Sequence, residues 1–278
     1  MRKKIQITSL ILHNGYLGFL FGIPLYHGFL KGFCAPGLNC HSCPASLFAC
    51  PIGMLQNSLA TWRSLSFSSF FPGLAYTLGF LILWGVLLGR FICGWLCPFG
   101  LIQELFFKIP APKIKISPSP WTRFFIKILI FFITIIMFPL FIEEGFYGVS
   151  AFCKYLCPAG TLEAAIPQLI LQPGLRNLIG ALFFFKLLVL FFILLSCTFE
   201  ERFFCKTLCP LGLIYGLFNK ISIINLVIRR EKCRACKKCS KVCPADLQPY
   251  AQINSPECIR CLKCKEACPE QALLIGKG

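Results

Sequence analysis

Two stretches of the chain decide its fold: CRACKKCSKVCP at 233–244 and CIRCLKCKEACP at 258–269. In each stretch three cysteines follow one another with two residues between them, and a fourth comes after three more residues and precedes a proline. Cysteines at these short, repeated spacings are typical of metal ligands rather than of disulfide partners. The spacing therefore predicts two metal sites built from eight thiolates.

The spacing is the one that binds two [4Fe–4S] clusters in bacterial ferredoxins, where the last cysteine of each run binds the cluster of the other run. A double zinc site is the alternative. We expect the first cluster on Cys233, Cys236, Cys239 and Cys268, and the second on Cys258, Cys261, Cys264 and Cys243. Residues 221–278 are thus predicted to form a small α+β ferredoxin-like domain.

The remainder of the chain is too apolar for a soluble domain. Of the 278 residues 56% are hydrophobic and only 14% are charged, which points to a bilayer as the surrounding medium. A helix needs about 20 apolar residues to cross the hydrocarbon core. We predict an α-helical multi-pass membrane domain over 1–220, with about four transmembrane helices at about 5–30, 68–89, 124–142 and 177–199.

The net charge of +17 is interpreted as a signal of how the chain is oriented in the membrane. The basic residues flank apolar stretches, and no pattern typical of nucleic-acid binding accompanies them, so lipid and not nucleic acid is the expected environment. An N-terminus on the inner side leaves most basic residues in cytoplasmic segments. We expect a prokaryotic plasma membrane protein with both termini in the cytoplasm.

A second cysteine motif, C-P-x-G, occurs four times, at 50–53, 97–100, 157–160 and 209–212. A cysteine stands four residues before each of the last three copies, whereas cysteines further upstream precede the first. Proline is favoured at the first position of a helix, so each motif thiol is predicted at a helix N-terminus, where the helix dipole favours an anion. A purely structural turn is the alternative.

Successive copies are expected on alternate faces of the membrane. The inner face then carries one further candidate cluster site, formed by Cys93, Cys97, Cys205 and Cys209. The outer face carries six cysteines for at most four ligand positions, so an outer cluster and disulfides both remain open; the six are Cys34, Cys40, Cys43, Cys50, Cys153 and Cys157. We therefore expect two ferredoxin-type clusters and one or two more in the membrane domain.

Two residues inside the predicted spans have no assigned role. Cys197 is interpreted as a small hydrophobic residue. Two interpretations of Lys186 remain open. It either has a functional role, by compensating the charge of a cluster or contacting a quinone, or its side chain simply extends toward the membrane surface.

The motifs at 93–98 and 205–210, together with the eight ferredoxin-type cysteines, resemble those of the NapH, NosR and CcoG group of membrane polyferredoxins, with the NapH-like proteins most similar in layout. The resemblance covers essentially the whole chain. It implies quinol-linked electron transfer for a NapH-like protein and copper supply for a CcoG-like one. The cysteine-rich stretch 34–50 and the third C-x3-C-P motif depart from the NapH pattern.

We predict an electron-transfer subunit that connects cytoplasmic or quinone donors to a redox partner, including across the membrane, as one component of a larger oxidoreductase system. The chain carries no glycine-rich dinucleotide or flavin motif, so another redox protein or a quinone is expected to exchange electrons with it. Two alternatives remain. One is a maturation factor whose thiolates handle Cu(I); the other is a membrane anchor for a ferredoxin domain, without transmembrane electron flow.

Overall fold

The computed structural model describes residues 2–23, 25–62, 64 and 67–277, and these are mostly helical. The α-helices are α1 Arg2–His13, α2 Pro51–Ala60, α3 Phe67–Leu88, α4 Phe91–Trp95, α5 Pro98–Phe106, α6 Pro120–Ile130, α7 Phe138–Phe141, α8 Ile166–Leu171, α9 Ala181–Phe199, α10 Phe203–Thr207, α11 Pro210–Leu217, α12 Lys238–Lys241 and α13 Lys263–Glu266. Three π-helices cover Phe131–Met137, Phe152–Leu156 and Gly160–Ala165. The strands are β1 Glu143–Glu144, β2 Tyr147–Gly148, β3 Ile224–Ile228 and β4 Leu273–Lys277.

Within the described residues, three helices are long and apolar enough to cross a membrane: Phe70–Leu88, Pro120–Phe141 and Ala181–Phe199. The second consists of α6, a π-helix and α7 in succession. A helix of about 20 residues is about 30 Å long, which matches the hydrocarbon core. These helices agree with the spans predicted at about 68–89, 124–142 and 177–199.

The predicted first span, about 5–30, is corrected by the structure. Helix α1 ends at His13, and a helix of 12 residues reaches only about 18 Å. Glycines interrupt the apolar stretch that follows, and Gly22 adopts a φ of 84°, which is unfavourable for other residues. Helix α1 instead packs on α4 and α5, where the buried Gln6 donates to the carbonyl oxygen of Gly94 at 3.2 Å.

Short helices that follow the C-P-x-G motifs pack between the long ones. Helix α2 contacts α3 and α7, α5 contacts α9, and α11 contacts α3 and α6. The prediction that the motif proline opens a helix is confirmed at Pro51, Pro98 and Pro210. Apolar side chains of these short helices, among them Ile52, Phe99 and Leu211, form the core together with the long helices.

The C-terminal segment, residues 221–277, has little regular structure. Strands β3 and β4 pair antiparallel, from Ile224 opposite Lys277 to Ile228 opposite Leu273. Between them lie both cysteine-rich stretches, each with one helix of a single turn, α12 and α13. The two strands close this segment, so the cysteines are held in loops rather than on long elements.

Candidate iron–sulfur sites

The C-terminal segment gathers its eight cysteines into two groups of four. One cavity, which we call the proximal site, is lined by Cys243, Cys258, Cys261 and Cys264. A second cavity, the distal site, is lined by Cys233, Cys236, Cys239 and Cys268. Each site combines three cysteines of one stretch with the last cysteine of the other. The structure therefore brings together the same two groups of four cysteines that the sequence spacing predicted. That these groups bind clusters stays a prediction.

The loops of both sites share one backbone conformation. Ala235 and Lys237 flank the middle cysteine of the first stretch with φ values of 49° and 59°, and Arg260 and Leu262 flank that of the second with 48° and 63°. Left-handed residues in such loops turn successive amide groups toward one concave side, which favours an anion. The backbone of both sites is therefore suited to a negatively charged thiolate cluster.

Cys93, Cys97, Cys205 and Cys209 form a third group, which we call the near quartet. All four side chains are buried. Cys97 and Cys209 directly precede α5 and α11, and the backbone amide of the motif glycine, Gly100 or Gly212, acts to lower the pKa of each thiol. Burial raises the pKa of Cys93, Cys97 and Cys209, and the neighbouring thiol of Cys205 raises it further. Four thiolates are stable in this position only if positive charge compensates them.

Two fully buried arginines supply positive charge beside the near quartet. Arg90 donates to the carbonyl oxygen of Cys205 at 2.9 Å, and Arg202 donates to that of Cys93. Each arginine precedes one C-x3-C motif by three residues and contacts the other motif. The sequence predicted a topological role for the basic residues as a group and assigned neither arginine to a site. The signal that would have identified both is the repeated pattern R-F-x-C-x3-C-P-x-G at 90–100 and 202–212.

Gln103 links the two halves of the near quartet. Its Nε2 donates to Cys205 Sγ at 2.9 Å, and its Oε1 accepts from the Cys205 amide at 3.3 Å. The same Oε1 accepts from Cys197 Sγ at 3.7 Å. Cys197 therefore packs behind the quartet as a partner of Gln103.

Four of the six cysteines predicted on the outer face also lie together. Cys40, Cys50, Cys153 and Cys157, which we call the far quartet, line a cavity of about 270 Å³. Burial raises the pKa of all four, that of Cys40 to about 12. Cys34 and Cys43 do not line this cavity. All nineteen cysteines lie within the described part of the chain, and all are free thiols.

The four groups differ from a zinc site in their geometry. Zinc requires ligand atoms within about 2.3 Å of one point. No three His, Cys, Asp or Glu side chains of the described residues converge in that way. Four thiols grouped together are the ligand set of a [4Fe–4S] cluster, and by this chemistry the residues of each group fit such a cluster.

The proximal site lies directly against the membrane domain. Four side chains from the ends of its helices donate to backbone carbonyl oxygens of the C-terminal segment: Arg90 to Pro256 at 2.8 Å, Arg123 to Ala245 at 2.7 Å, Lys206 to Pro244 at 2.8 Å and Trp95 to Arg260 at 3.1 Å. Since Arg90 also contacts Cys205, a single side chain joins the near quartet to Pro256, two residues before Cys258 of the proximal site.

Leu38 connects the near and the far quartets. Its carbonyl oxygen accepts a long hydrogen bond from Cys97 Sγ at 4.0 Å, while Leu38 also lines the far cavity beside Cys40. The order of the groups through the molecule is therefore distal site, proximal site, near quartet and far quartet.

The chain matches a known protein family. A family described as "4Fe-4S binding domain" matches residues 70–117, 124–170 and 179–231. Each matched segment contains one C-x3-C-P motif. The matches together cover more than half of the chain and end before the eight C-terminal cysteines. No solved structure matches the chain significantly.

Several curated proteins are similar to the chain. An uncharacterized protein of Methanocaldococcus jannaschii, MJ0750, is 28% identical over 62% of this chain and 66% of its own length. Protein NirI of Paracoccus denitrificans is 30% identical over 64% of this chain and 24% of its own length. The ferredoxin-type protein NapH of Escherichia coli is 37% identical over 24% of this chain and 20% of its own length. The chain spans less than two thirds of the length of these relatives.

Three apolar helices among the described residues, together with the match to a 4Fe-4S binding domain, define a membrane protein of the iron–sulfur electron-transfer class. The chain belongs to the 4Fe-4S binding-domain family of ferredoxin-type membrane proteins, to which NirI and NapH are related. The predicted resemblance to membrane polyferredoxins is thereby confirmed.

Proposed function

We propose that the chain carries single electrons between a redox partner at the distal site and the interior of the membrane domain. The distal site, the proximal site and the near quartet would each hold one [4Fe–4S] cluster through their cysteines. Such clusters accept and release one electron at a time. The observation that carries the proposal is the pair of hydrogen bonds from Arg90, one to Cys205 of the near quartet and one to Pro256, two residues before Cys258 of the proximal site.

The distal site is the point of exchange with a soluble partner in this proposal. Cys236 is exposed, whereas the near quartet is buried. Four exposed basic residues line the distal site: Lys232, Arg234, Lys237 and Lys238. A positive surface steers association with an acidic partner. An acidic redox protein is therefore the proposed partner here, and a quinone is the alternative donor or acceptor at the membrane.

We further propose that residues 1–220 and 221–278 are the two domains and that both termini face the cytoplasm of a prokaryotic cell. The membrane-domain residues at the end next to the C-terminal segment include Arg90, Arg123 and Arg202, which is the bias expected of a cytoplasmic face. Trypsin added to inverted membrane vesicles, but not to intact spheroplasts, should cleave in the exposed stretch 229–241. Cleavage only in spheroplasts would reverse the orientation.

The test of the electron path is a pair of variants of the near quartet. Cys97→Ser and Cys209→Ser should each lose about four iron atoms per chain, while the EPR signals of the two ferredoxin-type clusters remain. Electron transfer from a reduced soluble donor to an acceptor enclosed in proteoliposomes should stop. Cys197→Ser, a matched buried cysteine outside the quartet, should change neither property. Full electron transfer in Cys97→Ser and Cys209→Ser would support the membrane-anchor alternative instead.

A further inference from the structure

We propose that Cys40, Cys50, Cys153 and Cys157 hold a [4Fe–4S] cluster of their own, with Lys186 as the cation that compensates its charge. The inference rests on the proposed function and adds one site beyond the near quartet, on the other side of Leu38. The far quartet is assembled from residues up to 117 positions apart, so its membership is visible only in the folded chain.

The far quartet repeats the construction of the near quartet. Gln56 and Gln103 each stand six residues after the motif cysteine of their short helix, in the pattern C-P-x-G-x-x-Q. Gln56 Oε1 accepts from the amide of Cys153 at 3.2 Å, as Gln103 Oε1 accepts from that of Cys205 at 3.3 Å. The first C-P-x-G copy is therefore paired with the third in the way that the second is paired with the fourth. The Nε2 groups differ, since that of Gln103 donates to Cys205 Sγ and that of Gln56 donates to the Thr134 carbonyl oxygen. Because the contacts to the cysteine amides correspond, the two quartets are expected to bind the same kind of group.

The structure also selects four ligands from six cysteines. Cys34 Sγ contacts Met54 Sδ at 3.3 Å, away from the cavity, and Cys43 lies outside the cavity lining. The first motif has Ser46 where the other copies have their upstream cysteine. Cys40 lines the cavity instead, and its amide donates to the buried Glu163 carboxylate at 2.8 Å. Cys40 thus supplies the fourth thiol that the first copy lacks.

Lys186 occupies the role that the arginines have in the near quartet. It lines the far cavity, and its Nζ donates to the carbonyl oxygen of Cys153 at 3.4 Å. Arg90 and Arg202 contact the corresponding carbonyl oxygens, those of Cys205 and Cys93. In all three cases a cation binds the first cysteine of a C-x3-C motif. A lysine within a membrane-spanning helix is costly unless it has a partner, and the far quartet provides one.

Iron and acid-labile sulfide per chain, measured on anaerobically purified full-length protein in detergent, test the inference. The wild type should contain about sixteen iron atoms, and Cys50→Ser about twelve. The matched controls are Cys34→Ser and Cys43→Ser, which should keep the wild-type content. A wild-type content of about twelve, or equal losses in Cys43→Ser and Cys50→Ser, would overturn the inference, as would stoichiometric copper that disappears in Cys50→Ser.

A second variant covers the case in which Cys50→Ser does not fold. Lys186→Met should retain all iron but shift the midpoint potential of one EPR signal to a more negative value, and Lys186→Arg should restore it. Unchanged potentials for every signal in Lys186→Met would contradict the assigned role. If Cys97→Ser loses four iron atoms while Cys50→Ser loses none, the proposed function stands and this inference fails.

Discussion

At the scale of single residues, one feature recurs in the near quartet. A cysteine directly precedes a short helix, and an arginine donates to the carbonyl oxygen of the other cysteine in the same C-x3-C motif. The motif amides and the helix dipole stabilise negative charge at Cys97 and Cys209, and Arg90 and Arg202 add full positive charges. Both arginines have carboxylate partners, Glu257 and Glu104. Each is thus held in position independently of any bound group.

Replacing Arg202 tests this electrostatic role. Arg202→Gln removes a buried positive charge beside the near quartet, so reduction, which adds negative charge, becomes less favourable there. We expect the midpoint potential of the near-quartet signal to fall by roughly 50–100 mV, since a charge that is already paired with Glu104 contributes about 1–2 kcal/mol. Potentiometric EPR titration measures the shift. Arg176→Gln, at an exposed arginine, is the control, and an equal shift in both variants would refute the local effect.

The motif glycines offer a matched pair of substitutions. A Cβ on Gly212 would lie 3.1 Å from both Arg90 Nη2 and the Cys205 carbonyl oxygen, whereas one on Gly160 would meet nothing closer than 3.9 Å. Gly212→Ala should therefore destabilise the protein by about 1–3 kcal/mol, as expected for overpacking, and Gly160→Ala should be close to neutral. Thermal unfolding in detergent distinguishes them. Equal midpoints would show that Arg90 moves aside without cost.

At the scale of elements, buried glutamines join the short helices α2 and α5 to distant parts of the chain. Gln56 donates to the Thr134 carbonyl oxygen at 2.9 Å, within the π-helix Phe131–Met137. A π-helix leaves carbonyl groups available to side chains. The irregular stretch of the second span therefore provides an acceptor for the helix that carries Cys50.

Gln103 gives the prediction at this scale. Gln103→Leu removes the hydrogen bond to Cys205 Sγ and leaves the buried Cys205 amide without its acceptor. Hydrogen bonds to ligand sulfur raise the potential of a cluster, and an orphaned buried group costs about 1–3 kcal/mol. We expect a more negative potential for the near-quartet signal and a lower unfolding midpoint. Exposed Gln248→Leu should alter neither, and an unchanged potential in Gln103→Leu would exclude tuning by this residue.

At the scale of the whole molecule, buried ion pairs fix the C-terminal segment to the membrane domain. Glu257 lies 2.5 Å from Lys127 and 3.6 Å from Arg90, and all three side chains are almost fully buried. Removing one partner from such a group leaves an uncompensated charge. The contact between the two parts of the chain therefore depends strongly on one carboxylate.

Glu257→Gln should weaken this contact by about 3–5 kcal/mol, the usual cost of breaking a buried ion pair. Faster trypsin cleavage near Arg229 and Arg230 and a lower unfolding midpoint are the expected results. Glu270→Gln is the control, because the pair of Glu270 with Arg234 is largely exposed and such pairs contribute at most about 1 kcal/mol. Equal protease resistance in the two variants would contradict the docking role of Glu257.

By itself, the sequence determined whatever depends on local order: the two cysteine runs, the helix starts at the C-P-x-G motifs and the three apolar spans. Spacing and hydropathy act over a few residues and need no knowledge of packing. Local hydropathy failed at 5–30, where glycines and the packing of α1 on α4 and α5 override a continuous apolar helix.

The tertiary structure alone decided which distant groups meet. Cys40 and Cys50 line the far cavity, whereas Cys34 and Cys43 do not. Lys186 contacts Cys153. Arg90 and Arg202 each contact the C-x3-C motif that follows the other arginine. These contacts join residues far apart in the chain, so they are set by how the long and short helices pack rather than by any neighbouring residue. A buried charge is stable only beside a partner. Packing decides which residue is that partner, so the spacing of residues in the sequence does not predict it.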